Sequence, residues 1–203
     1  MKRVVIVTMA LALSLAFNLV TPAAQSPGPC IPPGEWAPTL PGEIRSAREL
    51  FRRIDGDASL HFRAFEFDSK ENASAALPLI VDEIVTSTED SWRGELNLAP
   101  TSARALGDES FVLSGMVRSR DGYADAAIVL AVVRSGHLVW IGKSTAIDDS
   151  FELEDVMVTL ETIVGRSPTA SVELVDGKWV GGAFAMLPQL SDMPEGYKEI
   201  GVC

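Results

Sequence analysis

The chain has 203 residues, 28 of them acidic and 17 basic, for a formal charge of −11 at neutral pH. A surface this negative repels phosphate backbones and anionic bilayers, which excludes a nucleic-acid partner and electrostatic docking to a membrane. Hydrophobic residues make up 47% of the chain, enough for one domain with a sizeable core, while two histidines and two cysteines give little material for a zinc site.

Lys2-Arg3 is a short basic start, followed by an apolar run from Val4 to Val20 and then Thr21-Pro22-Ala23-Ala24. This is the three-part layout of a secretory signal peptide spanning residues 1–24. It places the mature protein outside the cytoplasmic membrane, secreted or in the cell envelope. Retention of the run as an N-terminal anchor is the alternative. Cys30 follows Ser26-Pro27-Gly28-Pro29, not the pattern of a lipidation site. No later apolar run is long enough to span a bilayer once the signal is removed. Removing Lys2 and Arg3 takes the charge from −11 to −13.

Residues 25–57 read as a Pro-rich leader and a short helix. Pro27, Pro29, Pro32, Pro33, Pro38 and Pro41 keep the leader extended. Trp36 is suited to pin it to the body. Residues 45–53 carry helix-forming side chains, with Leu50 and Phe51 as the inward pair. Cys30 and Cys203 lie near the two ends of the mature chain. In an oxidising compartment they read as one disulfide, with two free or intermolecular thiols as the alternative.

Residues 58–186 form the α+β domain. Ser59–Phe67 has strand chemistry, although Ala64-Phe65 blurs its alternation. Ser69 suits an N-cap, and Ala73, Leu77, Ile80, Val81 and Ile84 share one helical face. Pro78 is expected to kink or delay that helix. Glu89 to Gly94 reads as a polar break, and Glu95–Leu98 as a short strand. Residues 110–118, 125–134 and 137–145 are three strands separated by Asp121-Gly122 and Ser135-Gly136. The middle strand is apolar without interruption from Ala126 to Val133, which implies burial on both faces. Asp149 and Glu152 suggest a capping box for a helix carrying Leu153, Val156, Met157, Leu160 and Val164, closed by Gly165. A last hairpin, residues 170–175 and 178–185, turns at Asp176-Gly177. Residues 187–203 form the tail. The fold class is therefore α+β: a mostly antiparallel, twisted sheet of five to seven strands with two principal helices packed on it.

Each catalytic template fails on a specific residue. Gly142-Lys143-Ser144-Thr145 looks like the end of a phosphate-binding loop, but His137 stands where its first glycine belongs, and a strand precedes it with no helix opening at once. Asp55-Gly56-Asp57 with Glu66 imitates the spacing of a calcium loop, but Leu60 occupies the glycine position. Asp148, Asp149, Glu152, Glu154 and Asp155 suit the positive end of a helix dipole. A Gly-x-Ser-x-Gly elbow is lacking, and His61 and His137 are the only histidines available as bases. The sequence indicates no cofactor, no metal and no catalytic residue. Trp92, Asp108 and Trp179 are the surface candidates: the tryptophans as aromatic faces for a cleft, and Asp108 as a cap in the turn Gly107-Asp108-Glu109.

A helix is followed by Leu106-Gly107-Asp108-Glu109, a strand, then Val132-Val133-Arg134-Ser135-Gly136-His137-Leu138-Val139 and a closing helix. Over about residues 58–165 this order resembles secreted bacterial α/β domains, with a layout similar to the PsbP/Mog1-like fold and to the extracellular sensor domains of envelope proteins. The resemblance implies an antiparallel sheet with helices on it and supplies no catalytic constellation. The expected function is a non-enzymatic binding or accessory module with a protein or small-molecule partner outside the cytoplasm. The alternatives are an extracytoplasmic hydrolase working through carboxylates and a structural module from a tandem array.

Overall fold

A computed structural model of the protein describes residues 40–54, 56–120, 124–147, 152–175 and 178–200. The signal segment, Trp36, Cys30, Cys203, Asp55, Asp148, Asp149 and the Asp121-Gly122 and Asp176-Gly177 turns lie outside the described residues.

Nine strands and two α-helices follow one another among the described residues: β1 (Glu43–Arg53), β2 (Ala58–Phe67), α1 (Lys70–Trp92), β3 (Gly94–Thr101), β4 (Glu109–Ser119), β5 (Ala126–Ser135), β6 (Leu138–Ala146), α2 (Leu153–Ile163), β7 (Val172–Val175), β8 (Lys178–Gly181) and β9 (Tyr197–Glu199). Seven of the strands make one antiparallel sheet in the order β3-β4-β5-β6-β2-β1-β9, and β7-β8 form a separate hairpin.

The apolar run of β5 is buried on both faces, as its pattern predicts. Val129, Ala131 and Val133 face the α2 side, and Leu130 and Val132 face the α1 side. β2 obeys the same rule. Leu60, Phe62 and Ala64 join the α2-side core, whereas Phe65 and Phe67 join the α1-side core. The blurred alternation at Ala64-Phe65 reflects two covered faces, not an irregular strand.

The helix expected over residues 45–53 is a strand. β1 pairs with β2 from Glu43↔Phe67 to Arg52↔Ser59. Ala47 and Phe51 are both buried on the α2 side. Their spacing of four fits one helical turn and equally two strand repeats, so the apolar pattern is ambiguous. Pairing with β2 and burial of Phe51 outweigh the helix propensity of the arginines, glutamate and leucine.

α1 begins where Ser69 accepts a hydrogen bond from the Asn72 backbone N–H at 3.2 Å. Pro78 lies inside the helix and does not delay it. Buried Ala73, Ala76, Leu77, Ile80 and Ile84 hold it on the sheet across the missing N–H. The expected polar break at Glu89 is instead the last turn of α1. The helix runs to Trp92 and stops at Arg93, which takes the left-handed conformation (φ 46°). Glu89 bends over to accept from the Leu96 N–H at 2.9 Å, tying the helix end to β3.

α2 opens at Leu153 with Glu152 in the cap position and no side-chain cap bond. The capping pair expected from Asp149 therefore does not define its start. Val156, Met157, Leu160 and Ile163 bury against the sheet. The C-terminal stretch completes this layer. A 3-10 turn at Gly182–Met186 replaces the end of the expected strand, and Ala183, Met186, Leu187 and Met193 enter the core. Trp140 Nε1 donates to the Met186 carbonyl at 3.1 Å in the buried interior. Arg166 forks onto Asp192 at 2.9 and 2.8 Å and also donates to the Leu187 carbonyl at 3.1 Å. β9 adds an edge strand to the sheet, pairing along the Phe51–Arg53 end of β1. No helix among the described residues is long and apolar enough to cross a membrane.

α2 descends on Gly142 of β6. A Cβ there would lie 2.7 Å from Val156 Cγ1, 3.1 Å from Phe62 Cε1 and 3.3 Å from Leu160 Cδ1. Gly142→Ala is expected to destabilise the fold by about 1–3 kcal/mol through overpacking, measured by urea denaturation. Unchanged stability would show that α2 is free to lift off the sheet.

Candidate functional site

The α1-side face of the sheet changes character towards β1. Over β4, β5 and the adjoining parts of β2 and β6 it is aliphatic and aromatic under α1. Farther along, it presents Arg48 from β1, His61 and Arg63 from β2, and Lys143 from β6. Register fixes this grouping. Arg48 lies opposite Arg63, and His61 opposite Lys143, so all four stand on one face. Directly opposed side chains are roughly 5 Å apart at Cβ, and alternate residues along a strand roughly 6–7 Å apart. Four basic side chains thus share a small patch of an otherwise acidic molecule.

α1 forms one wall of this patch. Lys143 Nζ donates to Thr88 Oγ1 at 3.2 Å, and Thr88 is buried, its hydroxyl also donating to the Ile84 carbonyl at 2.6 Å. Arg63 Nη1 donates to Glu83 Oε1 at 3.0 Å, and its guanidinium lies over the Phe65 ring at 4.9 Å from the centroid. Arg48 is exposed, while His61, Arg63 and Lys143 are half-buried. Burial, then the positive charge of Lys143 and Arg48, lowers the His61 pKa to about 4. Burial and then Arg63 lower that of Lys143. Burial and then Arg63 also lower that of Arg48, against an opposing pull from Glu83.

His61 is therefore neutral at pH 7. Its Nε2 stands 3.5 Å from Ser59 Oγ. That separation is outside hydrogen-bond reach for proton abstraction, and an imidazole with so low a pKa is a weak base. The arrangement makes no activated serine. It gathers three cationic side chains and a neutral imidazole where α1 meets the sheet.

The residues singled out in the sequence are placed elsewhere. Asp108 accepts from the Gly136 N–H at 2.7 Å and lies 3.4 Å from Arg134 Nη1, so it fastens the β5–β6 turn to the chain entering β4. Trp92 packs at the end of α1 against Leu96, Val117, Ala126 and Ile128. Trp179 belongs to β8, and its side chain lies outside the described part. Trp140 is in the core. His137 is exposed, 3.8 Å from Glu66. The Gly142-Lys143-Ser144-Thr145 segment lies wholly within β6, so its backbone amides serve the sheet and make no phosphate cradle. Glu66, the twelfth position of the calcium-like spacing, binds Arg45 instead. Glu154 and Asp155 sit in the first turn of α2, where Asp155 accepts from the Tyr197 hydroxyl at 2.9 Å. No group of three or more His, Cys, Asp or Glu suited to a metal occurs among the described residues.

A hollow of about 330 Å³ runs between α1 and β4, lined by Ser74, Leu77, Pro78, Val81, Asp82, Glu109 and Phe111. Its two carboxylates are exposed, and Glu109 is engaged by Arg134 at 3.1 Å and by Ser74 at 3.4 Å. A hydrolytic pair needs carboxylates converging in a buried site, which these do not provide. Comparison of the chain with protein-family models, curated proteins and solved structures gave no match.

Sequence reading missed the cationic corner because its members are distant in sequence and only the strand register assembles them. The available signal was Lys143 and His61 interrupting strands whose neighbours are buried on both sides. One consequence is measurable. The His61 pKa is about 4 in the fold against an ordinary 6.5, so between these values the unfolded chain binds the proton and the folded chain does not. The His61 contribution, up to about 3 kcal/mol, should be lost as pH drops from about 6.5 to about 4, and the lowered carboxyls of Asp68 and Asp192 should carry the loss on below that range. Urea denaturation at several pH values should show a shallower fall for His61→Gln over this window. Equal slopes for the two proteins would show that His61 titrates normally.

Proposed function

We propose that the protein is an exported binding or accessory module, matured by removal of residues 1–24, which takes its ligand on the open part of the sheet beside α1. The observation that carries this reading is the half-buried His61–Lys143 pair. Desolvating a lysine costs stability, and neighbouring positions in β2, β5 and β6 are filled by aliphatic and aromatic side chains that would pack there more favourably. A buried charge kept where apolar packing is available is a departure from local consistency of the kind that serves a ligand. Export rests on the basic start, the apolar run and the Ala23-Ala24 site. The absence of any match leaves the partner to be identified by chemistry.

Two measurements test the proposal. Fractionation of an expressing bacterium should recover the protein outside the cytoplasmic membrane with Gln25 as its first residue. Recovery from the cytosol with Met1 retained would overturn the export half. Hydrogen exchange of the mature chain, screened against sugars, peptides, metal ions and organic anions, should show ligand protection over residues 48–52, 59–63 and 143–145. Protection by a binder elsewhere and not there, or no response to any class, would overturn the assignment of the face.

A further inference from the structure

Resting on that reading of the face, we infer that its ligand is a small molecule bearing an oxyanion, a carboxylate or phosphate, seated between Lys143 and Arg63. The first ground is a missing counter-charge. Lys143 is half-buried, yet the partner of its ammonium is the neutral Thr88 hydroxyl, and no carboxylate among the described residues lies within ion-pair distance of it. Structural lysines in such places are ordinarily paired. Among the described residues, the groups that face it from β1, β2 and α1 are Arg48, His61, Arg63 and Thr88. Glu83, the carboxylate on this side of α1, is engaged with Arg63.

The second ground is geometry. Arg63 is held in place by Glu83 at 3.0 Å and by the Phe65 ring beneath it, so a forked donor is pre-positioned beside a point charge. A planar fork together with an ammonium suits carboxylate or phosphate oxygens. Neutral His61 can add an N–H donor without adding to the repulsion among the cations.

The third ground limits size. The mature chain carries −13 once Lys2 and Arg3 are gone, so a long polyanion meets repulsion beyond the patch, whereas a compact anion fits within it.

The inference is tested with the mature protein by isothermal titration calorimetry at constant ionic strength. Inorganic phosphate and citrate are the two oxyanion probes, glucose is the neutral control, and a single-stranded oligonucleotide is the polyanion control. Binding of phosphate or citrate in the millimolar range or tighter is expected, with the stronger of the two identifying the headgroup. Lys143→Met should weaken it about tenfold or more, as loss of a charge-assisted contact does. The same substitution should raise the melting temperature of the ligand-free protein, because it removes a desolvated charge without a counter-ion. A purely structural lysine would move that temperature the other way. Arg63→Gln should also weaken binding about tenfold or more. Anion binding that survives both substitutions, or glucose or oligonucleotide binding more tightly than either oxyanion, would overturn the inference. If a neutral ligand protects the face in hydrogen exchange while phosphate and citrate do not bind, the oxyanion fails and the binding face stands. If no class of ligand protects the face, both fall.

Discussion

The double burial of β5 is the constraint on which the remainder of the structure rests. A strand of eight consecutive apolar residues has no solvent side, so the sheet must be covered above and below. α1 supplies one cover. α2 supplies only part of the other, since it is 11 residues long and the sheet has seven strands. The C-terminal stretch fills the gap, through Ala183, Met186, Leu187 and Met193 and the bond from Trp140 to the Met186 carbonyl. The forked contact of Arg166 with Asp192 holds that stretch against the end of α2.

Unequal coverage of the two faces then gives the molecule its chemistry. The α2 side is closed as far as β1, where Phe51 is fully buried. The α1 side is closed over the middle of the sheet and grades into Arg48, His61, Arg63 and Lys143. Thr88 marks the border: it is buried under the helix and receives the first polar side chain beyond it. The depressed pKa of His61 follows from that border position, where water is partly excluded and two cations stand nearby.

Much of the fold could be read from residues close together in sequence. The β4–β5–β6 meander, the cap at Ser69 and the apolar stripes of both helices rest on local periodicity, and they stand as expected. β1 was misread because Ala47 and Phe51 satisfy helical and strand repeats alike. The end of α1 was misread because polar residues in a last turn look like a loop until Glu89 is seen to reach β3. Asp108 reads in the sequence as a cap for local amides, whereas its partners are Gly136 and Arg134, across a strand pair. The cationic corner was the least legible feature. Its residues are separated by up to 95 positions in the chain, and their proximity depends on two strand registers that no local pattern specifies.

The late position of the second cover bears on how the chain reaches its native state. While Met186, Leu187, Met193 and Tyr197 are still being synthesised, Phe62 and Trp140 lack part of their packing, and β1 lacks its outer neighbour. Closure of the α2-side core therefore waits on contacts supplied by the C-terminal stretch, since Met186, Leu187, Met193 and Tyr197 all belong to it.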